Sequence, residues 1–164
     1  MRQARHSVVV PVPIAAAYKQ WIDVESFPLF FHPVSSVSQT AEAYTHWVVT
    51  VGRIVREFDA EIVEQIPDDH VTWRTIGGDL AFTARADFVS DGDGSTRVTL
   101  TVDWDPGSAA ERAAAAVGVD GRVVRSALRS YARYLEKTGG PKGRSHVTIR
   151  SVDREDPPPA NAPR

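Results

Sequence analysis

The chain has no cysteine and a single methionine in 164 residues. It can therefore form no disulfide, offer no thiolate nucleophile and build no sulfur-rich metal site, a composition that suits the cytoplasm. Positive charge is not in excess either: 19 Lys+Arg stand against 21 Asp+Glu, for a net charge of -2. With no long basic run, no nucleic-acid footprint is expected. No apolar stretch is long enough to span a bilayer, so no membrane insertion is expected. Phosphate loops, a dinucleotide glycine fingerprint, a Ser-centred elbow and an H-E-x-x-H helix are also missing, and the five histidines are scattered singly. No metal, no cofactor and no nucleophile with an adjacent base can be read from the chain.

What the chain does have is alternation. From Ile54 to Glu64, Arg56, Phe58, Ala60 and Ile62 share one face while Glu57, Asp59, Glu61 and Val63 share the other, the period of a half-buried strand. Pro67-Asp68-Asp69 follows as a turn, read as a type I corner, and Val71 to Thr75 returns from it until Gly77-Gly78. Val34–Thr40 and Tyr44–Val51 form a hairpin before this pair, with Thr45, Trp47, Val49 and Val51 on one face. After it, Leu80, Phe82, Ala84, Ala86 and Phe88 point inward, Asp91-Gly92-Asp93-Gly94 makes a hairpin turn, and Val98, Leu100, Val102 and Trp104 share the inner face of Thr96–Trp104. Arg56 is the anomaly, a charge on the face that carries Phe58.

Near the start, Arg2 and Arg5 precede an apolar run that ends in Ala15-Ala16-Ala17, an imitation of a signal-peptidase site. Pro11 and Pro13 interrupt that run, and Tyr18 and Trp21 lie three apart beyond it. The preferred reading is a strand over Ser7–Val10 and a helix over Ile14–Ile22 begun by Pro13. Asp23 is placed to cap a second short helical turn at Glu25–Pro28, and His32-Pro33 closes the segment. Phe30, Phe31 and His32 are either a plug on the core or the entrance to a cavity.

Beyond the strands, Ser108–Val117 reads as an alanine-rich helix and Gly121 to about Lys137 as a longer one capped by Asp120. Val124, Leu128, Tyr131 and Leu135 make its apolar stripe; Arg122, Arg125, Arg129 and Arg133 its solvated flank. Residues 1–138 make one domain, and residues 139–164 are expected to be a disordered tail in which His146–Val152 could add a short strand.

These elements describe an α+β fold: a curved antiparallel sheet of about seven strands wrapped around the C-terminal helix, with two short helices after the first strand. A curled sheet meets a straight helix along only part of its length, and gaps of this kind take small apolar molecules. The inward set that would line it is Trp47, Phe58, Trp73, Phe82, Ala84, Phe88, Leu100 and Trp104 from the strands, with Val124, Leu128 and Tyr131 from the helix. Arg56 is the candidate for chemistry, since a guanidinium can donate to a carbonyl or enolate oxygen while staying charged. Its alternative is an arginine whose stem lies on apolar surface and whose head reaches water or a carboxylate.

The motifs V-V-P-x-P-x-x-x-A-Y-x-x-W, E-S-F-P-L-F, H-W, R-E-F-D-A-E-I and Q-I-P-D-x-x-x-T-W-R-T-x-G-G resemble the bacterial polyketide cyclase/dehydrase branch of the START-like, helix-grip (SRPBCC) superfamily. The resemblance runs from about His6 to Lys137 and implies a deep apolar cavity under the C-terminal helix. It leaves three readings: a non-catalytic carrier or sensor of a polyketide-, quinone- or lipid-like molecule; an aromatase/cyclase or dehydratase acting on a polyketide chain; and a protein-interaction module using the arginine-lined helix and the tail. A homodimer stays open, because exposed sheet edges do not settle it.

Overall fold

A computed structural model of the chain describes residues 2–104 and 121–140. The expected helix over Ser108–Val117, the Asp120 cap and the tail beyond Gly140 lie outside the described residues.

The alternating segments form one seven-stranded antiparallel sheet: β1 (Arg2–Val10), β2 (Val34–Ala41), β3 (Tyr44–Val51), β4 (Ile54–Ile66), β5 (His70–Gly78), β6 (Thr83–Ser90) and β7 (Thr96–Trp104). Strands β2 to β7 make a meander, and β1 pairs with β7, so the order is β1-β7-β6-β5-β4-β3-β2. The chain leaves β1 at one edge and begins β2 at the other. Helix α1 (Ile14–Ile22) and a 3-10 helix (Val24–Leu29) carry it across. Helix α2 (Gly121–Thr138) packs against β1, its Val124, Ala127, Leu128, Tyr131 and Leu135 buried and its four arginines exposed.

β1 is longer than the expected Ser7–Val10, because Arg2–His6 is polar apart from the buried Ala4 and is held by the β7 ladder. At the 3-10 helix Asp23 makes no side-chain cap; Ser26 Oγ instead donates to the Asp23 carbonyl.

Two details of β4 and β5 shape the inner face. The turn between them closes with Asp69 N–H donating to the Ile66 carbonyl, and Asp68 has φ +63°. A positive φ after proline belongs to a type II corner, which corrects the type I expectation; aspartate tolerates that region better than most residues. The register also slips between Ile62 and Glu64, so the alternation breaks there: Val63 and Glu64 are exposed while Gln65 is 1% exposed. Further along, Gly78 crosses β4 so closely that a Cβ would stand 2.5 Å from the Glu57 carbonyl oxygen and from Phe58 Cα. With φ +108°, only glycine fits there without strain. Adjacent Asp79 clamps the crossing: its N–H donates to the Glu57 carbonyl and its carboxylate accepts from the Glu57 N–H.

Candidate functional site

The concave face is filled unevenly. Beneath α1 and α2 the side chains close on one another. Tyr131 is fully buried; its ring stands edge-on to Trp21 at 5.0 Å and its hydroxyl donates to the Ala17 carbonyl at 2.6 Å. Burial pushes that hydroxyl's pKa well above its ordinary value. Phe88 lies edge-on to Tyr18 and to Trp21. Tyr18 is buried as well, and its pKa is pushed up to about 12, chiefly by loss of water.

Toward the 3-10 helix the packing opens into a cavity of about 90 Å³. The sheet contributes Val34, Trp47, Val49, Phe58, Trp73, Phe82, Ala84, Leu100 and Val102, with Leu80 from the loop before β6. Trp21, Phe27, Phe30 and Phe31 cover it from α1 and the 3-10 region, and Ala127 from α2. Every one of these side chains is apolar or aromatic. Trp47 and Phe58 stack with an interplanar angle of 8°, and Phe82 stands edge-on to Phe58. The Trp47 indole N–H is already occupied, donating to Thr45 Oγ1 at 2.7 Å. No charged side chain reaches the lining.

Six of the residues expected to bind ligand line this space: Trp47, Phe58, Trp73, Phe82, Ala84 and Leu100. Phe88, Val124, Leu128 and Tyr131 are buried but lie outside the lining, because α1 and α2 pack closely there and leave no room. Trp104, half-buried at the end of β7, also lies outside it. Val49, Leu80 and Val102, which the alternation puts on the inner face, also line it without having been chosen as ligand-binding residues, and sequence reasoning missed Trp21, Phe27, Val34 and Ala127. Trp21 and Phe27 could not have been found from periodicity, since their role depends on how the connection crosses the sheet.

Arg56 sits on the inner-face phase of β4, opposite Val49, but is not part of the lining. It is half-buried, and Nη1 donates to the neighbouring Val55 carbonyl at 3.1 Å. Phe30 and Phe31 wall the inner cavity and also an outer cleft of about 270 Å³, which His32, Pro33, Arg122, Val123, Ser126, Ala127 and Ser130 complete. All three entrance candidates therefore meet at one place. His46 points outward and lies between Asp59 and Glu57.

Among the described residues no helix is long and apolar enough to cross a membrane. The fold is that of solved structures with low identity to this chain. One is an aromatase/cyclase, Zhui, from a Streptomyces species: 16% identity, 87% of this chain and 98% of that one covered, TM-score 0.68. Another is a START superfamily protein from Mycobacterium smegmatis: 14% identity, 82% and 97% covered, TM-score 0.69. By sequence, the chain is 36% identical over 143 residues to an uncharacterized 17.2 kDa protein of Streptomyces lincolnensis, covering 87% of this chain and 95% of that one. The family described as polyketide cyclase/dehydrase and lipid transport matches residues 10–130. An apolar cavity between a seven-stranded sheet and its covering helices, together with these two sequence matches, places the chain in the polyketide cyclase/dehydrase and lipid transport family.

Proposed function

We propose that the protein binds a hydrophobic small molecule of polyketide-related chemistry and carries or senses it without turning it over. The lining carries the reading: every side chain around the inner cavity is apolar or aromatic, and the Trp47 N–H is already satisfied. Cyclisation and dehydration move protons, and an acid–base group must lie within hydrogen-bond reach of them. Apolar burial without such groups favours holding a ligand over reacting with it.

A second reading, aromatase/cyclase or dehydratase, has Arg56 in its favour, because that cation lies on the inner-face phase of β4 beyond Phe58. For it to act, the guanidinium would have to leave the Val55 carbonyl and swing toward the ligand.

The experiment is native mass spectrometry of the purified protein, with denatured extraction of whatever co-purifies. A near-stoichiometric apolar molecule recovered unchanged after incubation is the expected result. Conversion of an added polyketide chain by the wild type, lost in Arg56→Ala while binding persists, would transfer the case to the enzyme reading.

A further inference from the structure

The inner cavity has a neighbour. A second space of about 20 Å³ lies beside it, and the two share Trp21, Phe27, Trp47 and Trp73 as a common wall. Thr45, Ile62 and Val71 line the smaller space alone. A void of roughly 150 Å³ takes one benzene, and the larger space encloses about 90 Å³. Even a single ring placed there presses on the shared wall and reaches toward the smaller space.

Thr45 is the odd residue in that lining. It faces inward on β3 and is 3% exposed, yet the branched side chains beside it, Ile62 and Val71, are pure hydrocarbon. It carries the one hydroxyl in the lining of either space. Valine has the same shape without a polar atom, and a buried hydroxyl costs stability unless it is hydrogen-bonded. Half of that requirement is met, because Oγ1 accepts from the Trp47 indole at 2.7 Å. An indole N–H can only donate, so the hydroxyl still has its own proton to give. Among the described residues no acceptor receives it.

We infer that the smaller space is the polar tip of the ligand site: it takes a neutral acceptor oxygen, a ketone or quinone carbonyl, on the leading edge of a flat apolar molecule, and Thr45 donates to that oxygen. The Trp47 indole holds the hydroxyl oxygen, which leaves its proton turned to the ligand. A carboxylate or phenolate does not suit the place, since neither wall offers a cation to offset its burial. A pure hydrocarbon leaves the Thr45 proton unmet, and sites with a buried donor discriminate against such analogues. The inference rests on the cavity being a ligand site and adds to it which end of the ligand goes in first and what that end carries.

Acetophenone and α-methylstyrene have one shape and differ in carrying a carbonyl or a methylene on the same carbon. Each is titrated by calorimetry. Water holds the ketone better, so each probe is compared between proteins and not with the other probe. Thr45→Val alone would free the Trp47 N–H to take over the bond, so the proteins compared are Trp47→Phe and Trp47→Phe with Thr45→Val, their folds checked by circular dichroism. Adding Thr45→Val should weaken acetophenone about five- to tenfold, the loss of one neutral hydrogen bond, and leave α-methylstyrene within about twofold. Infrared spectra of acetophenone on the wild type supply a readout that needs no variant to fold: the carbonyl stretch should lie below its position in hexane. A stretch at the hexane position, equal loss of both probes, or no loss of the ketone overturns Thr45 as the donor and leaves the apolar cavity standing. Failure of both probes to bind the wild type overturns the cavity reading itself, and this inference with it.

Discussion

The concave face of the sheet has two ends that are equally rich in aromatic rings and differ in whether the rings fill it. Under α1 and α2, Tyr18, Trp21, Phe88, Leu128 and Tyr131 pack to full burial. Under the 3-10 segment, Trp47, Phe58, Trp73 and Phe82 leave about 90 Å³ between them. The strands supply similar side chains at both ends, so composition does not decide the outcome. The cover does. Two regular helices press an apolar stripe onto the sheet at one end; at the other, a six-residue 3-10 turn containing Pro28 reaches over with Phe27, Phe30 and Phe31 and spans a wider gap than it can fill.

The sharpest way to break this comparison is to remove the keystone of the filled end. Tyr131→Ala deletes a fully buried ring together with its hydroxyl's hydrogen bond to the Ala17 carbonyl. Phe- or Trp-sized truncations in cores cost roughly 3–5 kcal/mol. Urea unfolding should show a loss of that order, with the midpoint shifted and the slope little changed. A loss below about 1 kcal/mol, the scale of an ordinary surface or tolerated substitution, would mean that this end is as loosely packed as the other.

The opposite change at the open end should cost little stability and much function. Ala127→Leu projects a larger side chain from α2 into the cavity. In a filled core added methylenes cost about 1–3 kcal/mol; in a void they are commonly neutral or stabilising, by about 0.5–2 kcal/mol. Unfolding should be unchanged or slightly delayed, while binding of N-phenylnaphthylamine should fall by at least about tenfold, the equivalent of one lost apolar contact set. Strong destabilisation would show that no usable space exists beside Ala127.

The same contrast explains how much could be read in advance. The strands with their hairpins, the inward phase of Phe58, Ala84 and Leu100, and the stripe of α2 were legible, because periods of two and about 3.6 report which face is buried; the pairing of β1 with β7 was not. They do not report what a buried residue touches. Phe88 and Phe82 lie in one alternating run, yet Phe88 packs on Tyr18 and Trp21 while Phe82 lines the cavity. Tyr131 looked like a lining residue for the same reason and is a strut instead. The slip at Ile62–Glu64 that turns Gln65 inward had no local signal, since neither Gly nor Pro marks it. Phe30, Phe31 and His32 were found together because proline bounds a short aromatic run, a pattern that survives without knowledge of the tertiary fold. Arg56 stood out as a charge on the inner-facing phase of β4; the strand phase could not reveal that its head turns back to the Val55 carbonyl.

The smallest effect belongs to the convex face, where the sheet is charged instead of aromatic. His46 Nδ1 lies 2.8 Å from Asp59 and Nε2 lies 2.9 Å from Glu57, and these hydrogen bonds raise its pKa above the ordinary 6.5. His70 is also raised: burial pulls it down, but hydrogen bonds to Asp69 and Glu64 more than offset that. A pKa higher in the folded than in the unfolded chain means the fold favours the protonated ring. The stabilisation is fully present below about pH 6.5 and is lost as pH rises through the folded value. Melting temperature should therefore drift downward from mildly acidic to mildly alkaline pH, and His46→Gln with His70→Gln should flatten the drift. Both sites are open to solvent on at least one carboxylate partner, so salt should shrink the effect. NMR titration of the two rings reads the cause directly: folded values equal to 6.5 for both would leave these histidines without a role in the pH dependence, and values below 6.5 would reverse its sign.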